Sequence, residues 1–494
     1  MRIFSIDYRS LALFRIGLGL VMLYCAASFA AVADLFLVPG GALSAEGMRD
    51  FHEGSWGWSV NWLSDAAWFQ SAILLLTAAS AACLIVGWHT RIATIVGWVL
   101  ITSIINQASP TVGGGDVLLN LLLFWAMFLP LGARWSLDAR RSTLPKETSL
   151  LSVATAAVLL QMAIMYLFTG FSKCNDVWYS GAALDIGLSN DRLARPLGHL
   201  LAGYPWLTSM LTRGTLVAEL ILPFTLFSPW KFNWCRSVSL LILIAFHIGI
   251  ESTMVVMLFS YASLVGLLVF IPTAWWETVT LKKLQGALDE LFGTQSALPQ
   301  PQLKKGRKKQ RAKHRRAEGL SIKRRLGQSA IIACLLYVFF YNVLVEFASP
   351  EFKRSVGAYQ RFGELLALKQ YWNMFADPSH LCHDVACVAR LRDGTRIDLL
   401  RDNAKASDRR LRPPKSLEYD KTRLMIFTTT LTYPDHMKHR KEFVEHLIDK
   451  YEQTNIDPEK DILDCYLMYY LIGAHPHAEK TPSVVAAHVR RRSS

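Results

Sequence analysis

The chain has 494 residues, 52% of them hydrophobic and 19% charged, with a mean hydropathy of +0.24. That is too apolar for a soluble multidomain protein and points to one embedded in a lipid bilayer. The formal charge of +14 is concentrated rather than spread: Trp275 to Arg325 alone carries fourteen Lys/Arg against four Asp/Glu, so the excess speaks to topology before it speaks to partners.

The first apolar segment, from about Leu11 to Phe36, is too long for the core of a cleavable signal and lacks a small-residue cleavage site, so it reads as a first span. Crossing the hydrocarbon takes about 20 mostly apolar residues. Segments of that kind centre on Leu20, Leu76, Trp98, Phe124, Leu159, Leu220, Leu243, Leu264 and Tyr337, which predicts nine spans, with eight as the other count. Between Val238 and Ile271 a single very long helix is one choice, but Glu251, Ser252 and Thr253 favour a turn between two spans. Short loops rich in Lys/Arg belong in the cytoplasm. With nine alternating spans, Arg2 and Arg9, His89 and Arg91, Arg134 to Lys146, Lys231 and Arg236, and the Trp275 to Arg325 loop all fall on that side. The expectation is therefore an all-α bundle of about nine transmembrane helices in the cell (inner) membrane, with the N-terminus cytoplasmic. Residues 1–274 form the transmembrane domain, 275–325 a basic cytoplasmic loop, 326–347 the last transmembrane helix, and 348–494 a small extracytoplasmic α+β domain.

Within the basic loop, "KKGRKKQRAKHRR" (Lys304 to Arg316) has no interleaved aromatics to stack bases. It reads as a disordered positive-inside segment touching anionic lipid head groups, with no nucleic-acid partner. Beyond the last span, "VACVARLRDGTRIDLL" alternates around an Asp393-Gly394 hairpin signal, "RLMIFTTTLTY" is a β-branched run that predicts another strand, and "HRKEFVEHLIDKYEQ" has helical spacing, with Phe443, Leu447 and Tyr451 on one face. Cys382 and Cys387 in this domain are a candidate disulfide, with two separate thiols as the alternative; Cys25, Cys83, Cys235 and Cys334 are read as packing residues.

Titratable groups inside spans are costly and face the bundle interior, a partner or a wet cavity. Here Arg15 lies in the first span, Asp116 opens the fourth, Lys173 closes the fifth, Arg213 and Glu219 lie in the sixth, and His247 and Glu251 stand four apart in the seventh. The topology places Asp116, Lys173, Arg213, His247 and Glu251 in one leaflet, with Glu219 about 9 Å deeper than Arg213 at ~1.5 Å per residue. Such a concentration suggests a polar chamber opening outward. Balanced pairs, such as Arg213 with Glu219 or Lys173 with Asp116, are the simpler reading. The spacing of His247 and Glu251 suits two metal ligands, but no third ligand follows in a recognisable motif, so no metal is assigned and a hydrogen-bonded pair is expected. Glu219 is read either as a proton-path carboxyl or as a salt-bridge partner. Lys173 either snorkels to the interface or, deprived of solvation, stands as a free amine able to act as a base.

Several of these stretches resemble a known family. "YLFTGFSKCNDVWYSGAAL" is similar to the segment of vitamin K-dependent gamma-carboxylases in which a Gly-x-x-Lys element precedes an Asp, a Trp and a Gly, and "AFHIGIESTMVVMLFSY" resembles that family's His-containing span. "FRIGLGL", "GWHTRIA", "GGGDVLLNLLLFW" and "VAELILP" fit the wider HTTM (horizontally transferred transmembrane) family, with a weaker echo at "QYWNMFADP" and "LRDGTRIDLL". The resemblance implies a scaffold on which a reduced, vitamin K-like quinone is oxidised by oxygen and the strong base so formed takes a proton from a peptide glutamate, which then adds carbon dioxide. It implies Lys173 as the initiating base, with Asp116, Arg213, Glu219, His247 and Glu251 lining the chamber. Two departures stand out: Asp116 lies near where animal carboxylases carry a histidine, and the external region is far shorter than theirs. The expected activity is modification of a small secreted peptide by a carboxylase-like lyase or oxidoreductase. Bacterial relatives also resemble a toxin maturation factor, which makes a non-enzymatic peptide maturation or export accessory the alternative.

Overall fold

The computed structural model describes residues 2–38, 40–141, 147–190, 193–293, 310–376, 378, 382–400, 404–405, 422–431, 436–471 and 484–490. Each of the nine expected centres falls in a helix: α1 (Tyr8–Ala30), α2 (Ala67–Val86), α3 (Thr90–Gln107), α4 (Gly114–Ala126), α5 (Val153–Ser172), α6 (Pro205–Thr225), α7 (Phe232–Thr253), α8 (Phe259–Leu267) and, after an amphipathic α9 (Val279–Leu291), α10 (Gln310–Phe347). Five of these are long and apolar enough to cross a bilayer: α1, α2, α5, α7 and the Arg324–Phe347 part of α10. The other four fall short for reasons written in their residues. Gly113 and Gly114 open α4 late and the stretch before Pro130 ends it early, so it has 13 residues. The apolar run of α8 tightens into a 3-10 turn and stops before Pro272. α6 carries Arg213 and Glu219, and α3 is interrupted by Thr, Ser, Asn and Gln. The supported architecture is a mostly helical integral membrane protein with five candidate spans. The turn expected near Glu251 to Thr253 is present, because α7 ends at Thr253 and α8 begins at Phe259.

Close packing of α4 on α8 depends on Gly115, where an added Cβ would lie 2.3 Å from the backbone nitrogen of Phe259. Arg15, fully buried in α1, donates to the carbonyls of Ile85 (3.3 Å), Arg134 (3.4 Å) and Trp135, tying together the loops that follow α2 and α4. At the same end, β1 (Ser5–Asp7) pairs antiparallel with β2 (Ser149–Leu151).

Part of the loop expected to be disordered is helical: α9 occupies Val279–Leu291, α10 starts as early as Gln310, and Lys304 to Lys309 lie outside the described residues. After α10 comes an antiparallel sheet of order β5-β4-β3-β6-β7, made of β3 (Cys382–Leu391), β4 (Arg396–Asp398), β5 (Ala404–Lys405), β6 (Ile462–Leu471) and β7 (Val484–Arg490). The β3–β4 hairpin turns at Asp393-Gly394 as its sequence predicts, with Gly394 at φ 82° and the Thr395 amide donating to Asp393 Oδ1 at 2.8 Å.

Two expectations for this region are corrected. "RLMIFTTTLTY" is not a strand, because Thr422–Thr430 forms α11. Its threonine hydroxyls donate to carbonyls one turn back (Thr428 and Thr429 to Met425 at 3.0 and 2.9 Å, Thr430 to Ile426 at 3.1 Å), and Phe427 is buried against Phe36 and the Phe443 of α12 (Met437–Thr454), so tertiary contacts override β propensity. Cys382 and Cys387 stand in one strand, five residues and ~16 Å apart at about 3.3 Å per residue, well beyond disulfide reach. The side chain of Cys382 lies outside the described residues, and the buried Cys387 thiol instead faces that of Cys465 at 3.3 Å.

Candidate functional site

The final turns of α5 build the site. Tyr166, Gly170 and Lys173 are spaced four and three apart, so they share one face of that helix. Gly170 lets α6 come close: a Cβ there would meet Leu220 Cδ2 at 2.9 Å and Glu219 Cβ at 3.2 Å. The backbone approach sets the Glu219 carboxylate beside the lysine, with Lys173 Nζ 2.9 Å from Glu219 Oε2 and both side chains only 4% exposed. Nζ also donates to the carbonyl of Thr169 at 3.2 Å and lies 5.3 Å from the centre of the Trp178 ring.

About two turns before Lys173, Tyr166 Oη and His247 Nε2 are 2.7 Å apart, both buried. The other ring nitrogen, His247 Nδ1, is buried with no hydrogen-bond partner among the described residues. The ring packs against Phe246 and Phe259. Three helices, α5, α6 and α7, thus deliver two proton-carrying pairs to one end of the bundle.

A segment past the last long helix covers the site. Ser172 Oγ donates to Trp372 O (3.0 Å), Asn175 Nδ2 to Ala376 O (2.9 Å), and Trp178 Nε1 to the carbonyls of Phe375 and Ala376 (3.0 Å each). A buried chain of side chains continues inward from it, Trp372 Nε1 to Gln370 Oε1 (2.7 Å), Gln161 Nε2 to Gln370 Oε1 (2.9 Å) and Trp125 Nε1 to Gln161 Oε1 (3.0 Å). This is the "QYWNMFADP" stretch, and its contacts give it a role as a cap over the end of α5.

The remaining expected chamber residues find other partners. Asp116, at the third position of α4, takes the Gly113 amide (2.9 Å) and the guanidinium of Arg423 from α11 (2.9 Å to Oδ1, 3.3 Å to Oδ2). Asp116 is 1% and Arg423 2% exposed at the side chain. Arg423 also donates to Ser28 Oγ at 2.8 Å and lies 3.3 Å from the Phe29 ring centre. The expected Lys173 with Asp116 pair is therefore replaced by two pairs, Lys173 with Glu219 and Asp116 with Arg423. Arg213 does not reach Glu219 either: six residues apart on a helix they point to different faces, and Arg213 donates to the carbonyls of Tyr179 (3.2 Å) and Ser180 (2.8 Å) near the surface. His247 and Glu251 do not bond to each other, since Tyr166 takes the first while Arg195 (2.6 Å) and the hydroxyl of Tyr261 (3.1 Å) take the second.

Sequence reasoning missed Tyr166, Arg195 and Arg423. Tyr166 carried a usable signal, its helical spacing from Lys173. The arginines carried none, since each reaches its partner through a loop or a distant helix.

A family model described as the HTTM domain matches residues 4–275, while no curated protein and no solved structure matches the chain.

Proposed function

The chain belongs to the HTTM family, and from that premise we propose that it is a multi-pass inner-membrane enzyme that modifies a small secreted peptide, with Lys173 as base and a reduced quinone of the vitamin K type as co-substrate. The observation that carries this reading is the buried Lys173 and Glu219 pair at 2.9 Å, set beside the Tyr166 and His247 pair.

Moving the shared proton from Nζ to Glu219 converts the ion pair into an amine and a carboxylic acid with no change in net charge, so it leaves no bare ion in a low-dielectric site. The neutral amine is then a base that burial keeps from being protonated by water. On accepting a proton from a bound hydroxyl it becomes an ammonium and remains as the counter-ion of the anion it has made. The Thr169 carbonyl and the Trp178 ring hold that ammonium in place. His247 Nδ1 is an unfilled hydrogen-bonding position in an aromatic surround, and His247 and Lys173 are the residues that would hold a hydroquinone. Bound there, a reduced quinone supplies an acidic hydroxyl and the reducing electrons for oxygen.

The test pairs two variants. Lys173→Met alone strands the Glu219 carboxylate; Lys173→Met with Glu219→Met replaces the pair by apolar volume, a change that buried ion pairs often tolerate. Membranes carrying wild type, supplied with hydroquinone and labelled bicarbonate, are expected to form the quinone epoxide, and the folded double variant none. Epoxide formation that persists in the double variant removes Lys173 from the chemistry, and its absence from well-folded wild type removes the quinone reaction.

A second reading has its own support. Lys173, Asp116 and Glu251 each have a counter-ion from another helix or loop, as helix-pairing devices would, which suits a non-enzymatic accessory for peptide maturation or export. On that reading the double variant restores both folding and peptide release.

A further inference from the structure

A cleft of about 1110 Å³ lies at the other end of the bundle, where β1, the start of β2, the α6–α7 connection and the chain after α8 meet. It sits at the beginning of α5, whereas Lys173 follows the end of that 20-residue helix, about 30 Å away at ~1.5 Å per residue. Nothing in the Lys173 chemistry uses it.

Its charge is unbalanced. Arg236, on the wall of the cleft and 2% exposed, donates to the carbonyls of Leu226 (3.1 Å) and Ile3 and lies over the rings of Phe232 (4.4 Å) and Phe270 (5.5 Å). No carboxylate touches it among the described residues. The acidic residue that lines the cleft, Asp7, is already chelated by Arg9 at 2.9 and 2.8 Å. Lys231 adds a second cation and is the N-cap of α7, whose first-turn amides receive no side-chain cap. A guanidinium this buried without a counter-ion is costly. Aromatic faces and helix carbonyls offset part of that cost, and an anion would offset the rest. The rim carries Trp230 and Trp234, 65% and 62% exposed, residues that sit where acyl chains meet head groups.

We propose that this cleft binds a phosphate group between Lys231, Arg236 and the first turn of α7, presented by an anionic phospholipid whose glycerol and upper acyl chain lie against Trp230 and Trp234. Arginine and lysine together suit a phosphate, the first through its planar fork and the second as a point charge. A zwitterionic head group brings its own cation and is bound less well.

Native mass spectrometry of the full-length protein in detergent, titrated with phosphatidylglycerol, phosphatidylethanolamine or inorganic phosphate, tests this. Wild type is expected to retain phosphatidylglycerol over phosphatidylethanolamine, and Lys231→Gln and Arg236→Gln to weaken that retention roughly tenfold each, the usual loss for a charge-assisted contact. If inorganic phosphate binds and displaces the lipid, with the same dependence on both residues, the phosphate site stands and its source is soluble. If neither variant changes the binding of phosphatidylglycerol or phosphate, the proposal is overturned. Lys231 is exposed and its replacement spares the fold, so it decides alone should Arg236→Gln fail to fold. Epoxide formation at the Lys173 end is a separate readout.

Discussion

The two buried ion pairs at the same end of the bundle differ in where their partners come from. Lys173 and Glu219 both lie within residues 4–275, the part matched by the HTTM family model, and neighbouring helices bring them together across Gly170. Asp116 lies in that part too, but its partner Arg423 arrives from α11, some three hundred residues later in the chain. The first pair belongs to the family scaffold. The second fastens the C-terminal region onto it. The same end of the bundle thus holds one pair that the family-matched region closes by itself and another that needs the C-terminal region to complete it.

Unpairing the second is the change with the largest expected effect. Arg423→Met leaves the Asp116 carboxylate buried beside the Gly113 amide, and losing one partner of a buried pair costs about 3–5 kcal/mol. Thermal unfolding in detergent is expected to show that loss, and limited proteolysis to open the region around α11. Asp116→Asn together with Arg423→Met should recover most of it, because the amide keeps an acceptor for Gly113 and carries no charge. Lys173→Met is expected to destabilise by a similar amount with α11 still protected. Proteolytic opening in both single variants would mean that the pairs act as one unit, and the contrast between scaffold and fastening would fail.

A middle-sized effect tests how the first pair is placed. Gly170→Ala puts a Cβ 2.9 Å from Leu220 Cδ2 and 3.2 Å from the Glu219 Cβ, so the Leu220 side chain must repack and Glu219 must give way slightly. Overpacking of this kind costs about 1–3 kcal/mol. The expected signature is loss of epoxide formation larger than the stability loss explains, since the Lys173 to Glu219 distance sets the base. If activity and stability fall in proportion, Gly170 serves packing only.

How much of this was legible differs between the pairs for a physical reason. Hydropathy gives each helix, and 1.5 Å per residue gives the depth of every charge along it. Lys173, His247 and Asp116 were therefore found at comparable levels from spacing alone, with Glu219 deeper than Arg213. Depth does not give azimuth, and azimuth decides partners: Arg213 and Glu219 share a helix yet face apart, and Tyr166 stands in a helical stripe with Lys173 but carries no charge to draw notice. Arg423 was hidden twice over, because its segment is rich in threonine and reads as a strand, and because it is tertiary packing, Phe427 on Phe36 and Arg423 on Ser28 of α1, that accompanies the helix there. Of the nine expected spans five meet both criteria of length and apolarity among the described residues, since short helices such as α4 and α8 are apolar without a span's length.

A third carboxylate, in the loop beyond α4, sharpens the comparison through the smallest effect. Helix α3 opens at His89 in a left-handed conformation (φ 45°) with no cap from its own side chains. Asp138 supplies the cap from 48 residues downstream, accepting the His89 amide at 2.9 Å, the Thr90 amide at 2.8 Å and the Thr90 hydroxyl at 2.5 Å. Burial pushes its carboxyl up, but the hydrogen bonds from Thr90 and His89 outweigh that and hold it below the usual carboxylate range. A depressed folded-state value means that this contribution is complete above the ordinary carboxyl range and is lost as pH falls through the folded value, that is, below about pH 4. Asp138→Ala is expected to cost about 1 kcal/mol, the usual worth of an N-cap, and to flatten the acid limb of a stability profile measured between pH 6 and 3. Asp116→Asn with Arg423→Met should leave the Asp138 share of that limb in place. If the limb instead vanishes with the buried pair and survives Asp138→Ala, then the fastening of α11, and not the cap of α3, is where acid first loosens the fold.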